Sequence, residues 1–129
     1  MSGKKHRIVI IDDDVDLLAT ASRLLELEGF EVVTHRRAFN STNLVAQLRP
    51  DLVLLDVNMP FLSGDNLFRL FKEDSRLAGV PVVFFSSNDE GSLRRMVQEM
   101  GAKGYITKSE LSGDKIRRFL PAAVGTTGG

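Results

Sequence analysis

The stretch Asp51-Leu-Val-Leu-Leu-Asp56 is a short apolar run that closes on a carboxylate. Ile8-Val-Ile-Ile11 and Val80-Pro-Val-Val-Phe-Phe-Ser86 have the same character, since each ends on or just before a polar residue. Runs this uniformly apolar are typical of strands covered on both faces, as in a parallel sheet. Glu31-Val-Val-Thr34 and Gly104-Tyr-Ile-Thr107 are shorter strand candidates. The sequence therefore predicts five strands.

Helical patterns separate these strands. Apolar residues recur every three or four positions in five segments, around 15–28, 44–48, 67–71, 93–100 and 116–120. Gly29 and Gly101 favour helix ends, and Pro121 is expected to end the last helix. Strands that alternate with helices through short connections require parallel pairing and right-handed crossovers. We therefore predict an α/β fold, an open, doubly wound parallel sheet of five strands with helices on both faces.

Length and composition limit the class of protein. A chain of 129 residues fits one domain, and its 17 basic residues balance 17 acidic ones, which argues against a dedicated nucleic-acid binder. Cysteine is absent, so disulfides, thiolate zinc sites and cysteine nucleophiles are excluded. No apolar run approaches the roughly 20 residues that a bilayer span needs. We expect a cytoplasmic protein without membrane insertion, with a disordered basic segment at 1–6, one domain at 7–120 and a flexible tail at 121–129.

Polar groups follow four of the five predicted strands. In chain order they are Asp12-Asp13-Asp14, Asp56, Ser86-Ser87 and Lys108. In open parallel sheets, ligands bind beyond the carboxyl ends of the strands. Like charges 4 Å apart repel by about 4 kcal/mol at an effective dielectric constant near 20, so converging carboxylates favour a bound cation. Mg²⁺ prefers such oxygen ligands, and the lone lysine indicates a second role in holding an anion such as phosphate.

Each of these residues also has a simpler explanation. Asp14 lies where an N-cap of the first helix is expected, and a serine or lysine alone would be an ordinary loop or surface residue. Asp56 is the hardest to explain structurally, because it ends an apolar run near the centre of the sheet. Agreement among four strand ends favours a shared site over four separate explanations.

Four motifs resemble the receiver domain of two-component response regulators, in particular its single-domain, chemotaxis-regulator-like form. They are Ile10-Ile-Asp-Asp-Asp14, Leu54-Leu-Asp-Val-Asn-Met-Pro60 with Gly64, Val82-Val-Phe-Phe-Ser86, and Gly101-Ala-Lys-Gly-Tyr-Ile-Thr-Lys108. The second motif is the most specific, and all four occur in the expected order. The resemblance implies a flavodoxin-like fold with strand order 2-1-3-4-5.

The resemblance also implies a phosphoacceptor and a metal site. Asp56 would take a phosphoryl group from a phosphohistidine on a sensor kinase or phosphotransfer protein. Asp13 and Asp56 would bind Mg²⁺ directly, and Asp12 would act largely through water. The backbone carbonyl of Asn58 would complete the protein ligands. A metal and an ammonium together supply the charge neutralisation that phosphoryl transfer needs.

A conformational switch is the third implication of the resemblance. Lys108 would pair with one phosphoryl oxygen, and the Ser86 hydroxyl would bond another. Movement of Ser86 would make room for Tyr105 to turn inward, which would reshape the face that binds an unknown downstream protein. Such a domain is not an enzyme beyond assisting its own phosphotransfer and dephosphorylation.

Two other functions stay open at this stage. The family usually has proline after the lysine, and Ser109 stands there instead, which lends modest weight to a phosphate-independent interaction scaffold, while the retained Asp13, Asp56, Ser86 and Lys108 count against it. A haloacid-dehalogenase-type phosphatase would need a second aspartate two residues after its nucleophile. That position holds Asn58, which does not serve as a general acid.

Overall fold

The computed structural model describes residues 5–58 and 64–120 of the chain. Within them, five strands form one parallel sheet in the order β2-β1-β3-β4-β5, which confirms the predicted topology. The strands are β1 (Arg7–Ile11), β2 (Glu31–His35), β3 (Leu52–Asp56), β4 (Val82–Ser86) and β5 (Gly104–Thr107). The helices are α1 (Val15–Leu27), α2 (Ser41–Leu48), α3 (Gly64–Glu73), α4 (Glu90–Met100) and α5 (Gly113–Arg117). The predicted tail at 121–129 and residues 1–4 lie outside the described ranges.

Alternate residues of the central strands enter two separate cores. Val9 of β1 and Val53 of β3 pack on one face of the sheet, with α3 and α4. Ile8 and Leu52 pack on the other face, with α1 and α5. Because β1, β3 and β4 are covered on both sides, they are continuous apolar runs, as the sequence predicted. None of the helices in the described ranges combines the length and apolarity of a membrane span.

Local signals place the helix ends. The Asp14 carboxylate accepts a hydrogen bond from the backbone N–H of Leu17, so Asp14 caps α1 as predicted. Gly101 adopts a φ of 84° at the end of α4, a conformation that costs glycine little. Asp14 therefore sets the start of α1, and Gly101 sets the end of α4.

The last helix differs from the prediction of 116–120. It starts earlier, at Gly113, because the Ser112 side chain caps it by accepting a hydrogen bond from the N–H of Lys115. It ends at Arg117, and Phe119 continues as a hydrogen-bonded turn. Proline therefore does not set the end of this helix. The predicted starts of β3 and β4, at residues 51 and 80, were also too early, since these strands begin at 52 and 82.

Candidate functional site

Three carboxylates meet at the carboxyl ends of β1 and β3. Ile11 pairs with Leu55 in the sheet, so the residues that follow them, Asp12 and Asp56, emerge side by side. Asp12, Asp13 and Asp56 each offer an oxygen within 4.8 Å of the others. Asp12 and Asp56 are buried, whereas Asp13 is exposed. The predicted acidic pair and the predicted phosphoacceptor therefore form one cluster.

Short hydrogen bonds to the backbone hold the two buried carboxylates. Oδ1 of Asp12 accepts from the N–H of Asp14 at 3.0 Å, and Oδ1 of Asp56 accepts from the N–H of Asn58 at 3.0 Å. Both bonds reach two residues along the chain, as in Asx turns, in which an aspartate fixes the loop that follows it. One oxygen of each carboxylate is thereby oriented by its own loop.

Lys108 supplies the positive charge of the cluster. Its Nζ lies 2.8 Å from Oδ2 of Asp12 and 3.7 Å from Oδ1 of Asp56. The sheet register explains this position, because Ser86 pairs with Thr107 and Lys108 follows directly. A short 3₁₀ turn begins at Lys108 and includes Ser109, the residue that replaces the family's proline. That replacement does not divert the lysine from the carboxylates.

Burial raises the pKa of Asp56 from 3.8 to about 6. Desolvation is the largest cause, and the negative charges of Asp12 and Asp13 act in the same direction. The hydrogen bond from Asn58 and the charge of Lys108 oppose them. At pH 7 this carboxylate is therefore largely ionised, although it lies in a site that disfavours its charge.

A hydroxyl and two amides lie beside the cluster. Ser86 is buried, and its Oγ accepts from the N–H of Asn88 at 2.9 Å and from Nδ2 of Asn58 at 3.2 Å. The same Nδ2 lies 2.9 Å from Oδ1 of Asn88. Both donors use oxygen lone pairs, so the hydroxyl proton of Ser86 remains available to a new acceptor. Nothing in the sequence pattern predicted that the Asn88 amide would join the two loops.

Tyr105 lies apart from the cluster. It is half-buried, and its hydroxyl donates to Oε2 of Glu90, the first residue of α4, at 3.3 Å. No hydrogen bond joins Tyr105 to Ser86 in the part of the chain that the structure describes. No sequence pattern indicated Glu90 as a partner, since the contact depends on how α4 packs beside β5.

The donor set fits a small divalent cation. All three clustered side chains are carboxylates, which Mg²⁺ prefers. Oδ2 of Asp12 is buried and faces the Lys108 ammonium at 2.8 Å without a well-aligned hydrogen bond among the described residues, so it keeps the capacity to bind a cation. Lys108 alone does not balance three negative charges. The residues present are therefore those that a magnesium site requires.

Similarity to a known protein family extends over the whole site. Residues 8–119 match the family model of the response regulator receiver domain. The chain belongs to this family. The matched region of the receiver domain contains both the carboxylate cluster and Lys108.

Curated relatives are longer than this receiver domain. The DNA-binding response regulator MtrA of Mycobacterium tuberculosis is 33% identical over 108 residues, which is 84% of this chain and 46% of that protein. The transcriptional regulatory protein PrrA of the same species is 32% identical over 112 residues, which is 87% of this chain and 47% of that protein. The chain thus spans a little under half the length of these relatives. The expectation that it does not bind nucleic acid stays a prediction.

Solved structures share the fold. The BeF3-activated N-terminal receiver domain of RstA from Klebsiella pneumoniae superposes with a TM-score of 0.77 at 28% identity, covering 88% of this chain and 94% of that one. The chemotaxis protein CheY4 of Vibrio cholerae gives a TM-score of 0.79 at 20% identity, covering 91% of this chain and 100% of that one. The receiver domain therefore has the flavodoxin-like architecture of these proteins.

Proposed function

We propose that this receiver domain is a phosphorylation-dependent signalling switch whose phosphoacceptor is Asp56. The observation that carries the proposal is the position of the Lys108 ammonium, 2.8 Å from Asp12 and 3.7 Å from Asp56. A lysine whose only role was to neutralise a buried charge would need to contact only one carboxylate. Lying between the two, it is also placed to bind an oxygen of a group attached to Asp56.

The reaction that this arrangement supports is transfer from a phosphohistidine on a sensor kinase or phosphotransfer protein. An Asp56 oxygen attacks phosphorus and forms the O–P bond of an acyl phosphate. The P–N bond breaks, and its electron pair stays on the imidazole nitrogen of the donor. Ionised Asp56 is required, and its pKa of about 6 leaves it mostly ionised at pH 7. Lys108 stabilises the charge on the transferred phosphoryl oxygens.

Asp12, Asp13 and Asp56 would hold Mg²⁺, together with the backbone carbonyl of Asn58. The ion would supply neutralisation of the charges on the phosphoryl group and the carboxylates. The domain's own residues orient the acceptor: the N–H of Asn58 fixes one oxygen of Asp56, and Lys108 lies against that same oxygen. Outside its own phosphotransfer and dephosphorylation, we propose no enzymatic activity.

The response to phosphorylation would begin at Ser86. A phosphoryl group adds nearly two negative charges and strong acceptor oxygens. The free proton of the Ser86 hydroxyl would bond one of them, and space vacated by Ser86 would admit Tyr105. Tyr105 would first give up its hydrogen bond to Glu90. The face around Tyr105 would then bind an unidentified downstream protein differently.

Labelling with a small phosphodonor tests the proposal. The chain is incubated with acetyl phosphate and Mg²⁺, and its intact mass is measured. One added phosphoryl group is expected on the wild type and on Asp16→Asn, a control for an exposed carboxylate of α1, and none on Asp56→Ala. An unlabelled wild type would contradict the switch and favour the phosphate-independent scaffold.

A further inference from the structure

Phe39, in the loop between β2 and α2, is 83% exposed. A single apolar side chain on a protein surface needs no explanation by itself. This one differs because the loop around it is held by specific contacts, because two basic residues precede it, and because the loop lies at the edge of the sheet that carries the carboxylate cluster.

The loop fixes the position of Phe39. The ring Nε2 of His35 lies 2.9 Å from the carbonyl oxygen of Phe39, and the buried Ser41 donates its hydroxyl within the same turn, 2.7 Å from the carbonyl oxygen of Ala38. Asn40 adopts a left-handed φ of 66°, a conformation that asparagine accepts more readily than most residues with a side chain. These contacts define a turn that leaves the Phe39 side chain in solvent.

Two basic residues precede this phenylalanine in the loop. Arg36 and Arg37 are exposed, and neither forms an ion pair with a carboxylate in the described ranges. Both line a cleft of about 520 Å³ between α1 and β2, together with Val15, which is 51% exposed. We call Val15, Arg36, Arg37 and Phe39 the Phe39 patch. Aromatic and arginine side chains are the residues that most often dominate binding energy at protein interfaces.

The Phe39 patch lies at the edge of the sheet that carries the carboxylates. The N–H of Asp12 donates to the carbonyl oxygen of His35 at 3.0 Å, which joins the start of this loop to the cluster. Val15 follows the exposed Asp13 by two residues. A protein that brings a phosphohistidine to Asp56 would have to approach this same edge of the sheet.

We propose that the Phe39 patch docks the protein phosphodonor, through a helix on which carboxylates flank an apolar side chain. The inference rests on the proposed function and adds a recognition surface to it. Charge complementarity selects the occupant, since two unpaired arginines beside apolar groups favour an acidic, amphipathic surface over a basic one. A small phosphodonor reaches Asp56 without this contact.

Comparing two kinds of donor tests the docking surface. From a panel of purified, autophosphorylated histidine kinases, the one that labels the wild type fastest serves as protein donor, and acetyl phosphate serves as small donor. Phe39→Ser is expected to lower the transfer rate from the kinase by about tenfold, the effect of losing one interface anchor, and to leave acetyl phosphate labelling unchanged. Leu27→Ser is the matched control, because Leu27 is also 83% exposed, at the far end of α1. It should leave both rates unchanged.

Reversing the charges gives a second readout. Arg36→Glu with Arg37→Glu should slow kinase transfer most at low salt, because screening weakens the attraction in the wild type. The inference would be overturned if Phe39→Ser accepted phosphoryl groups from the kinase at the wild-type rate. It would also be overturned if Leu27→Ser lost as much kinase transfer as Phe39→Ser, or if Phe39→Ser lost acetyl phosphate labelling to the same extent. Labelling of the wild type by acetyl phosphate but by no kinase would also overturn it. Absence of labelling by either donor would instead overturn the proposed function.

Discussion

Lys108 Nζ lies 2.8 Å from Oδ2 of Asp12, a carboxylate that has no exposed surface. Removing one partner of a buried ion pair leaves the other charge uncompensated, which costs more than the pair contributes. Lys108 therefore stabilises the folded site before any phosphoryl group arrives. Under the proposed function the same ammonium would then bind a phosphoryl oxygen, so one side chain would serve the resting and the modified state.

Replacing Lys108 by methionine tests its resting role. The change should lower the free energy of unfolding by about 2–3 kcal/mol in EDTA at pH 7, somewhat less than for a fully buried pair, because the lysine side chain is 20% exposed. Lys115→Met is the control, since its ammonium pairs with the exposed Glu110 and should cost at most about 1 kcal/mol. Urea unfolding measures both. Equal losses would show that Lys108 has no special role in the apo fold.

Asp56→Asn should stabilise the protein in a pH-dependent way. The folded-state pKa of about 6 exceeds the ordinary 3.8, so the folded state binds the proton more tightly than the unfolded state. The stability that this group contributes to the folded state is fully present below pH 3.8 and is lost as the pH rises through about 6. At pH 7.5 in EDTA the asparagine variant should be more stable by about 2–3 kcal/mol, and the gap should close below pH 4. A constant difference across this range would contradict the raised pKa.

Magnesium should stabilise the wild type through the carboxylate cluster. An ion at one hundred times its dissociation constant adds about 2.7 kcal/mol to the free energy of unfolding. Asp13→Asn should lose most of this increase while folding normally in EDTA, because Asp13 is exposed in the apo fold. Asp14→Asn keeps a helix-capping side chain and should respond like the wild type. Thermal unfolding with and without Mg²⁺ measures the effect, and an unchanged response in Asp13→Asn would exclude this residue as a ligand.

Ser86→Ala should have both a structural and a functional effect. The N–H of Asn88 loses its acceptor, which should lower the free energy of unfolding by about 1–2 kcal/mol. The phosphoryl group also loses a donor, so steady-state labelling by acetyl phosphate should fall. Ser87→Ala is the control at an exposed neighbouring position and should change neither quantity. Wild-type labelling by Ser86→Ala would remove the serine from the proposed switch.

The parallel sheet and the edge that carries the cluster were predictable from the residues, whereas the strand order came from the resemblance to the receiver family. Parallel strands place their carboxyl ends at one edge, so the residues that follow β1, β3 and β5 lie at the same edge of the sheet. Asp12, Asp56 and Lys108 follow from that rule, together with continuous apolar runs that indicate buried strands. The alternation of strands and helices carries this information, and each strand can be recognised from a short stretch of sequence.

Contacts between loops were not predictable in the same way. The bond of Asn58 to Asn88 spans 30 residues, and that of Tyr105 to Glu90 spans 15, so no periodic pattern reports them. The predicted start of α5 was wrong because the apolar spacing begins at Ile116. The capping side chain of Ser112 starts the helix earlier, at Gly113. Side-chain contacts that depend on packing require the three-dimensional structure.

Locating the phosphorylated residue tests the central claim most directly. After reaction with acetyl phosphate and Mg²⁺, borohydride reduces an aspartyl phosphate to homoserine, and peptide mass spectrometry identifies its position. The account predicts homoserine at position 56 alone, and none in Asp56→Asn. Homoserine at position 12 or 13, or at no position in a folded wild-type chain, would contradict it.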